Sequence, residues 1–168
     1  MASRLHFLRV VLVALTLGIL YGIVHDMVTA HVCVEYFSKF HPQVIDSENP
    51  ALLALIWGVV ATWWVAAALG MGLGLAAAAG PRPMAPVPGI ARKLAMVLVG
   101  LWFFSMVAGF IGSQTGGPLT PQFLHRSGLP VGKEARFWFD YWAHIAAYAG
   151  GVVAGIGLMV AVYRSRGR

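Results

Sequence analysis

Four apolar runs, each about twenty residues or longer, constrain this chain more than any other feature. Lipid offers the backbone no hydrogen-bond partners, so chains cross it as helices or as closed barrels, and runs of this length fit helices. The runs predict spans at about 7–28, 50–79, 92–112 and 136–163, with polar loops at about 29–49 and 113–135. Of the 168 residues, 59% are hydrophobic and 11% charged, whereas a soluble domain carries about a quarter charged residues. The expected architecture is all-α: one integral membrane four-helix bundle over residues 1–168.

Local signals support these limits. Asn49-Pro50 reads as a helix cap followed by proline at the first helical position. The stretches Gly80-Pro81-Arg82-Pro83 and Pro86-Val87-Pro88-Gly89 cannot continue a helix. Thr120-Pro121 and Gly128 bracket a short surface helix, Pro121 to Ser127. The second run is long, and Gly70-x-Gly72-x-Gly74 offers either a bend or a close approach for a neighbour. The first run also has a competing reading as a cleaved signal peptide, with Met1 to Arg9 as its basic end and Val28-Thr29-Ala30 as the cleavage site. Against cleavage stands the patterned face of that run, which a discarded peptide would not need.

Charge predicts the threading. Eight of the twelve basic residues (Arg4, Arg9, Arg82, Arg92, Lys93, Arg164, Arg166 and Arg168) fall at one end of the spans. The positive-inside rule makes that end cytoplasmic, with both termini inside, as in a multi-pass protein of a bacterial inner membrane. The acids and five of the six histidines collect at or near the other end. Basic residues clustered at membrane ends need no nucleic acid to explain them, and none is expected as a partner. The single cysteine, Cys33, excludes an intrachain disulfide and reads as a packing residue. Trp57, Trp63 and Trp64, with Phe137, Trp138, Tyr141 and Trp142, read as a belt at headgroup level.

Two spans carry matched stripes. On a helix, residues three, four and seven apart share a face. Gly18, Tyr21, Gly22, His25 and Thr29 form one such stripe, with Asp26 at its edge. Asp140, His144, Ala147, Gly151 and Gly155 form another on span four. Both stripes are polar at the loop end and small toward the basic end. The simplest expectation is that spans one and four pack through their glycine-rich faces. His25, Asp140 and His144 would then gather above the contact. His31 and Glu35, four apart, extend the polar set. Only a fold-back of their segment would bring them in as ligands.

Ionisable groups inside a membrane are costly unless paired or facing a wet cavity, so such a set is a functional-site hypothesis. The candidate metal ligands are His25, Asp26, Glu35, Asp140 and His144. A mixed nitrogen and oxygen set suits zinc, copper or iron better than calcium. Two classes stay open. One is a site protein that holds a transition-metal ion or moves protons or electrons, with a bis-His haem on His25 and His144 as the lesser cofactor reading. The other is a structural or assembly subunit, whose polar cluster only locks helices and whose glycine faces serve a homo-oligomer or membrane-complex partner. No Gly-x-Ser-x-Gly, His-Glu-x-x-His, P-loop or Rossmann pattern is present, so whether the chain is an enzyme stays open.

The string Tyr21-Gly22-x-x-His25-Asp26-x-x-Thr29, then Glu35-Tyr36-Phe37, His41-Pro42 and Ala61-Thr62-Trp63-Trp64, resembles a family of small bacterial membrane proteins of uncharacterised function. The resemblance covers mainly residues 20–80. It implies four spans in an inner membrane and points to His25, Asp26, Glu35 and His41.

Overall fold

The computed structural model describes residues 2–166. Met1 and Arg168, named above for the basic end, lie outside the described residues. Seven helices follow in order: α1 (Ala2–Val32), α2 (Val34–Ser38), α3 (Pro50–Val60), α4 (Trp63–Ala78), α5 (Val87–Thr115), α6 (Pro121–Arg126) and α7 (Glu134–Arg164). No strand occurs among the described residues. Four segments are long and apolar enough to cross a membrane: Ser3–Val32, Pro50–Ala78, Val87–Thr115 and Glu134–Arg164.

The ends of these helices follow local chemistry. The Asn49 side chain accepts from the Leu52 amide at 3.1 Å, and the Thr120 hydroxyl accepts from Phe123 N at 3.3 Å. Each cap is followed by proline at a position where the helix needs no amide hydrogen. Gly116 ends α5 with φ 75°, a value that disfavours other residues. Its carbonyl accepts from Trp142 Nε1 at 2.8 Å. At the opposite end, Arg166 Nη1 donates to the Ala76 carbonyl at 3.0 Å, and Nη2 reaches the Ala79 carbonyl, satisfying the C-terminus of α4.

The second span is two helices, and its break is not at the glycine triplet. It falls at Ala61 and Thr62, where the Thr62 hydroxyl donates to the Gly58 carbonyl. The glycines below it admit neighbours instead. A Cβ at Gly70 would lie 3.0 Å from Ala14 Cβ, and one at Gly74 would lie 2.6 Å from the Phe7 ring.

The helices pack as two tight pairs. α1 lies along α3 and α4, and α5 lies along α7. This corrects the expected glycine contact between spans one and four. A Cβ on Gly18 would lie 2.5 Å from Ala66 Cβ, and one on Gly22 would lie 2.5 Å from the Gly58 carbonyl, so both glycines close on the second span. A Cβ on Gly109 would likewise lie 2.8 Å from the Phe139 carbonyl, which closes the other pair. Small residues allow close approach to any neighbour, which is why the stripe alone did not name its partner.

Two buried clusters hold the ends. One, at the loop end, joins Cys33, Phe37, Leu53, Leu124, Phe137 and Trp138. The other, at the arginine end, joins Val10, Leu73, Ile90, Leu94, Leu158 and Val162. Phe137 and Trp138 are therefore core residues and leave the expected aromatic belt. Trp63 and Trp64 are exposed as expected.

Gly22→Val should lower stability by about 1–3 kcal/mol, because the close approach to Gly58 and Thr62 leaves no room. Gly151→Ala, whose Cβ would meet Leu101 at an ordinary 3.6 Å, should change it little. Reversible unfolding in mixed micelles measures both.

Candidate metal centre

Where the pairs meet near the loop end, α1 and α7 place three ligand-type side chains together. His25 Nδ1 lies 3.2 Å from Asp26 Oδ1, and His144 Nε2 lies 3.3 Å from the same oxygen. One donor atom from each of the three residues falls within 4.8 Å of the others. His25 and Asp26 are 2% and 6% exposed. The imidazoles meet edge to face, with ring centres 4.8 Å apart. The Thr29 hydroxyl donates to the His25 carbonyl at 3.3 Å and caps the turn from within.

The bonding pattern fixes the His144 ring. Its Nδ1 lies 2.7 Å from the Asp140 carbonyl, which can only accept. Nδ1 therefore carries a hydrogen. In the neutral ring the Nε2 lone pair then points at the Asp26 carboxylate. Two acceptors at 3.3 Å require a cation or a proton between them. A backbone carbonyl on one nitrogen is also the usual support for a histidine that binds a metal through the other.

The remaining expected ligands lie elsewhere. Asp140 is fully buried on α7, and only its carbonyl serves the cluster. Its carboxylate oxygens have no partner among the described residues. Glu35 Oε1 accepts from Lys133 Nζ at 2.5 Å. His31 donates from Nδ1 to the Met27 carbonyl at 2.7 Å and does not meet Glu35.

The segment after α1 does fold back, yet it brings neither His31 nor Glu35 into the cluster. Cys33, with extended φ −145° and ψ 90°, breaks α1 from α2 and turns α2 over the cluster. Tyr36 and Phe37 stack on His144, with ring centres 4.8 and 5.6 Å away. His41 donates to the Tyr36 carbonyl at 2.7 Å and packs on Trp57, and burial lowers its pKa. Burial also pushes the Cys33 thiol up to about 12, so it is a packing group with a weak bond to Glu35.

No protein-family model, no curated protein and no solved structure matches this chain.

Sequence reasoning placed Asp26 at the edge of the stripe, yet its oxygen is the centre of the cluster. It also missed Lys133 as the partner of Glu35. A lone lysine beside a loop turn carries no local signal for a glutamate so distant in sequence.

Below the triad, α1, α4, α5 and α7 enclose a cavity of about 310 Å³. Gly18 and Gly22 line one side and Gly151 and Gly155 another, so the two matched stripes flank a space as well as packing on neighbours.

Burial opposes the Glu35 charge, and the Lys133 ammonium more than offsets it, holding the carboxyl below its ordinary value of 4.5. A depressed folded-state pKa stabilises fully above that ordinary value and loses its contribution as pH falls through the folded one. Stability in detergent should therefore decline as pH drops below about 4.5. Lys133→Ala should flatten that part of the profile, and unfolding measured across the acidic range tests it.

Proposed function

We propose that this is a four-span inner-membrane protein that holds a divalent transition-metal ion of the zinc class at His25, Asp26 and His144. Both termini face the cytoplasm in this reading, and the centre lies toward the outer face. The basic residues at one end support that orientation. The sequence string around His25 and Asp26 supports a place among small four-span bacterial membrane proteins.

One observation carries the metal reading: the lone pair of His144 Nε2 and the Asp26 carboxylate face each other at 3.3 Å, with the other His144 nitrogen committed to Asp140. Tetrahedral ligands at zinc distances stand about 3.3 Å apart. The separations of 3.2 and 3.3 Å from Asp26 fit that edge. Two neutral imidazoles and one carboxylate leave a position open for an outside ligand, as in zinc sites that do chemistry.

Haem fits poorly. Iron held by two imidazoles at about 2 Å would keep the ring centres roughly 6 Å apart. Here they are 4.8 Å apart and edge-on, with Asp26 alongside both. The assembly-subunit reading draws less support, since most close-packing glycines are already covered within the chain. Among the described helical glycines, only Gly100 and Gly157 would carry an added Cβ into open space.

Protein purified in mild detergent should bind close to one zinc per chain by elemental analysis, and cobalt substituted for it should show the visible bands of a tetrahedral site. His144→Ala and Asp26→Asn should each weaken binding at least tenfold while helical content is unchanged. Affinity should fall as pH falls, because protons compete for all three ligands. Failure to take up zinc, cobalt or copper after reconstitution, with His144→Ala merely less stable, would leave a helix lock in place of a metal centre.

A further inference from the structure

Metal binding does not account for the cavity below the triad. At about 310 Å³ it is roughly twice the volume of an engineered protein cavity that takes up benzene. Leu69, Val97, Leu98 and Leu101 give it apolar walls. The polar side chains at its loop end are already engaged. Asp26 meets both imidazoles, the Thr62 hydroxyl donates to the Gly58 carbonyl, and His41 donates to the Tyr36 carbonyl. The Tyr21 hydroxyl and His25 Nε2 are buried within the wall and present no surface to the space. Among the described residues no lysine or arginine lines the chamber, and the charge on Asp26 opposes a second anion.

The chamber opens sideways. α4 and α7 touch where an added Cβ on Gly155 would lie 2.7 Å from Leu69 Cδ2, and again where one on Gly72 would lie 2.5 Å from Met159. Closer to the loop end the two helices part. Trp64 on α4 and Tyr148 and Val152 on α7 line the cavity there, yet they are 57%, 45% and 53% exposed on the outside of the bundle. Val152 lies twelve residues from Arg164, at the basic end of the span, which is about 18 Å along a helix. A hydrocarbon core is about 30 Å thick, so the mouth opens where the bilayer offers only acyl chains.

An apolar void stays dry, and the atoms around it lack dispersion partners on the open side. A hydrocarbon chain supplies those partners and needs no donor, acceptor or counter-charge. We propose that this chamber is a lipid-chain site. The distal half of one acyl chain of a bilayer phospholipid enters between Trp64 and Val152 and lies against Leu98 and Leu101, while its headgroup stays at the membrane surface. The site does not depend on a metal ion at the triad.

Photolabelling in lipid nanodiscs tests this. Phosphatidylcholine with a diazirine in the distal half of one chain would be photolysed with wild type and with Gly151→Leu, and the labelled residues mapped by mass spectrometry. Leu101 and Ala66 line the chamber but are only 8% and 6% exposed, so lipid reaches them from inside. Phe103 and Val107 on α5 are 60% and 56% exposed and report ordinary lipid contact. An added Cβ at Gly151 would meet Leu101 Cδ2 at 3.6 Å, an ordinary distance, so the leucine side chain takes up the chamber without forcing α7 away. The expected result is label on Leu101 and Ala66 in wild type, at least tenfold weaker in Gly151→Leu, with Phe103 and Val107 labelled equally in both. In wild type, a diazirine beside the ester should label the inner pair at least tenfold less. Phosphatidylglycerol carrying the distal probe should label that pair as well as phosphatidylcholine does. Absence of label from the inner pair in wild type would overturn the proposal, as would equal labelling by the ester probe or undiminished labelling in Gly151→Leu. Label from phosphatidylglycerol alone would overturn it by showing that charge selects the occupant. Label from a free diazirine-bearing decane, with none from either phospholipid, would overturn it in favour of a slot for small apolar solutes. Should Gly151→Leu misfold, shown by a changed pattern at Phe103 and Val107, the wild-type comparisons decide alone.

Discussion

Everything in this bundle follows from how closely α1 can approach α3 and α4. Gly22 and Gly58 let two backbones nearly touch, and the Thr62 hydroxyl turns back onto the Gly58 carbonyl at the same level. That contact fixes α1 against one neighbour. The same stripe carries His25, with Asp26 at its edge, and both meet His144 of the second pair, α5 and α7. Those two are locked in turn by Gly109 and Gly112, over which the Phe139 carbonyl and the Trp142 ring sit. Two rigid pairs therefore meet along a seam. Buried clusters close the seam at each end, and neither fills its middle.

The seam explains why the polar residues stand where they do. His25 and Asp26 come from one pair and His144 from the other, so the triad is also the bridge between them. Buried polar groups are costly unless each finds a partner, and here a single carboxylate oxygen serves two rings. Its charge then needs a counterpart. A proton on His144 would provide one at the level of helix packing. A metal ion would provide one and leave a coordination position for an outside ligand.

Much of the fold was legible because its signals are local. Four long apolar runs, the Asn49 and Thr120 caps and the prolines after them each specify an element from a few neighbouring residues. The packing was not legible, because a glycine stripe states that something comes close and not what. Gly18 and Gly22 closed on α3 and α4, although an equally good stripe stood on α7. His25 and His144 were found because helical spacing places them at matching depth. Asp26 was undervalued because its angle on the helix wheel lay at the margin of the stripe. A carboxylate reaches across that margin, and a wheel does not represent side-chain length. The bond between Lys133 and Glu35 depends on the chain break at Cys33, which no glycine or proline announces.

The turn at Cys33 also decides which solvent the site samples. Tyr36 and Phe37 are laid over His144 like a roof, while the opening lies at the flank of the bundle. Molecules dissolved in water meet the roof, and molecules dissolved in the bilayer meet the opening. Access is thus filtered by partition before any contact is made. A solute that prefers lipid arrives already concentrated many-fold over its aqueous level, so even a shallow binding free energy would keep the chamber occupied.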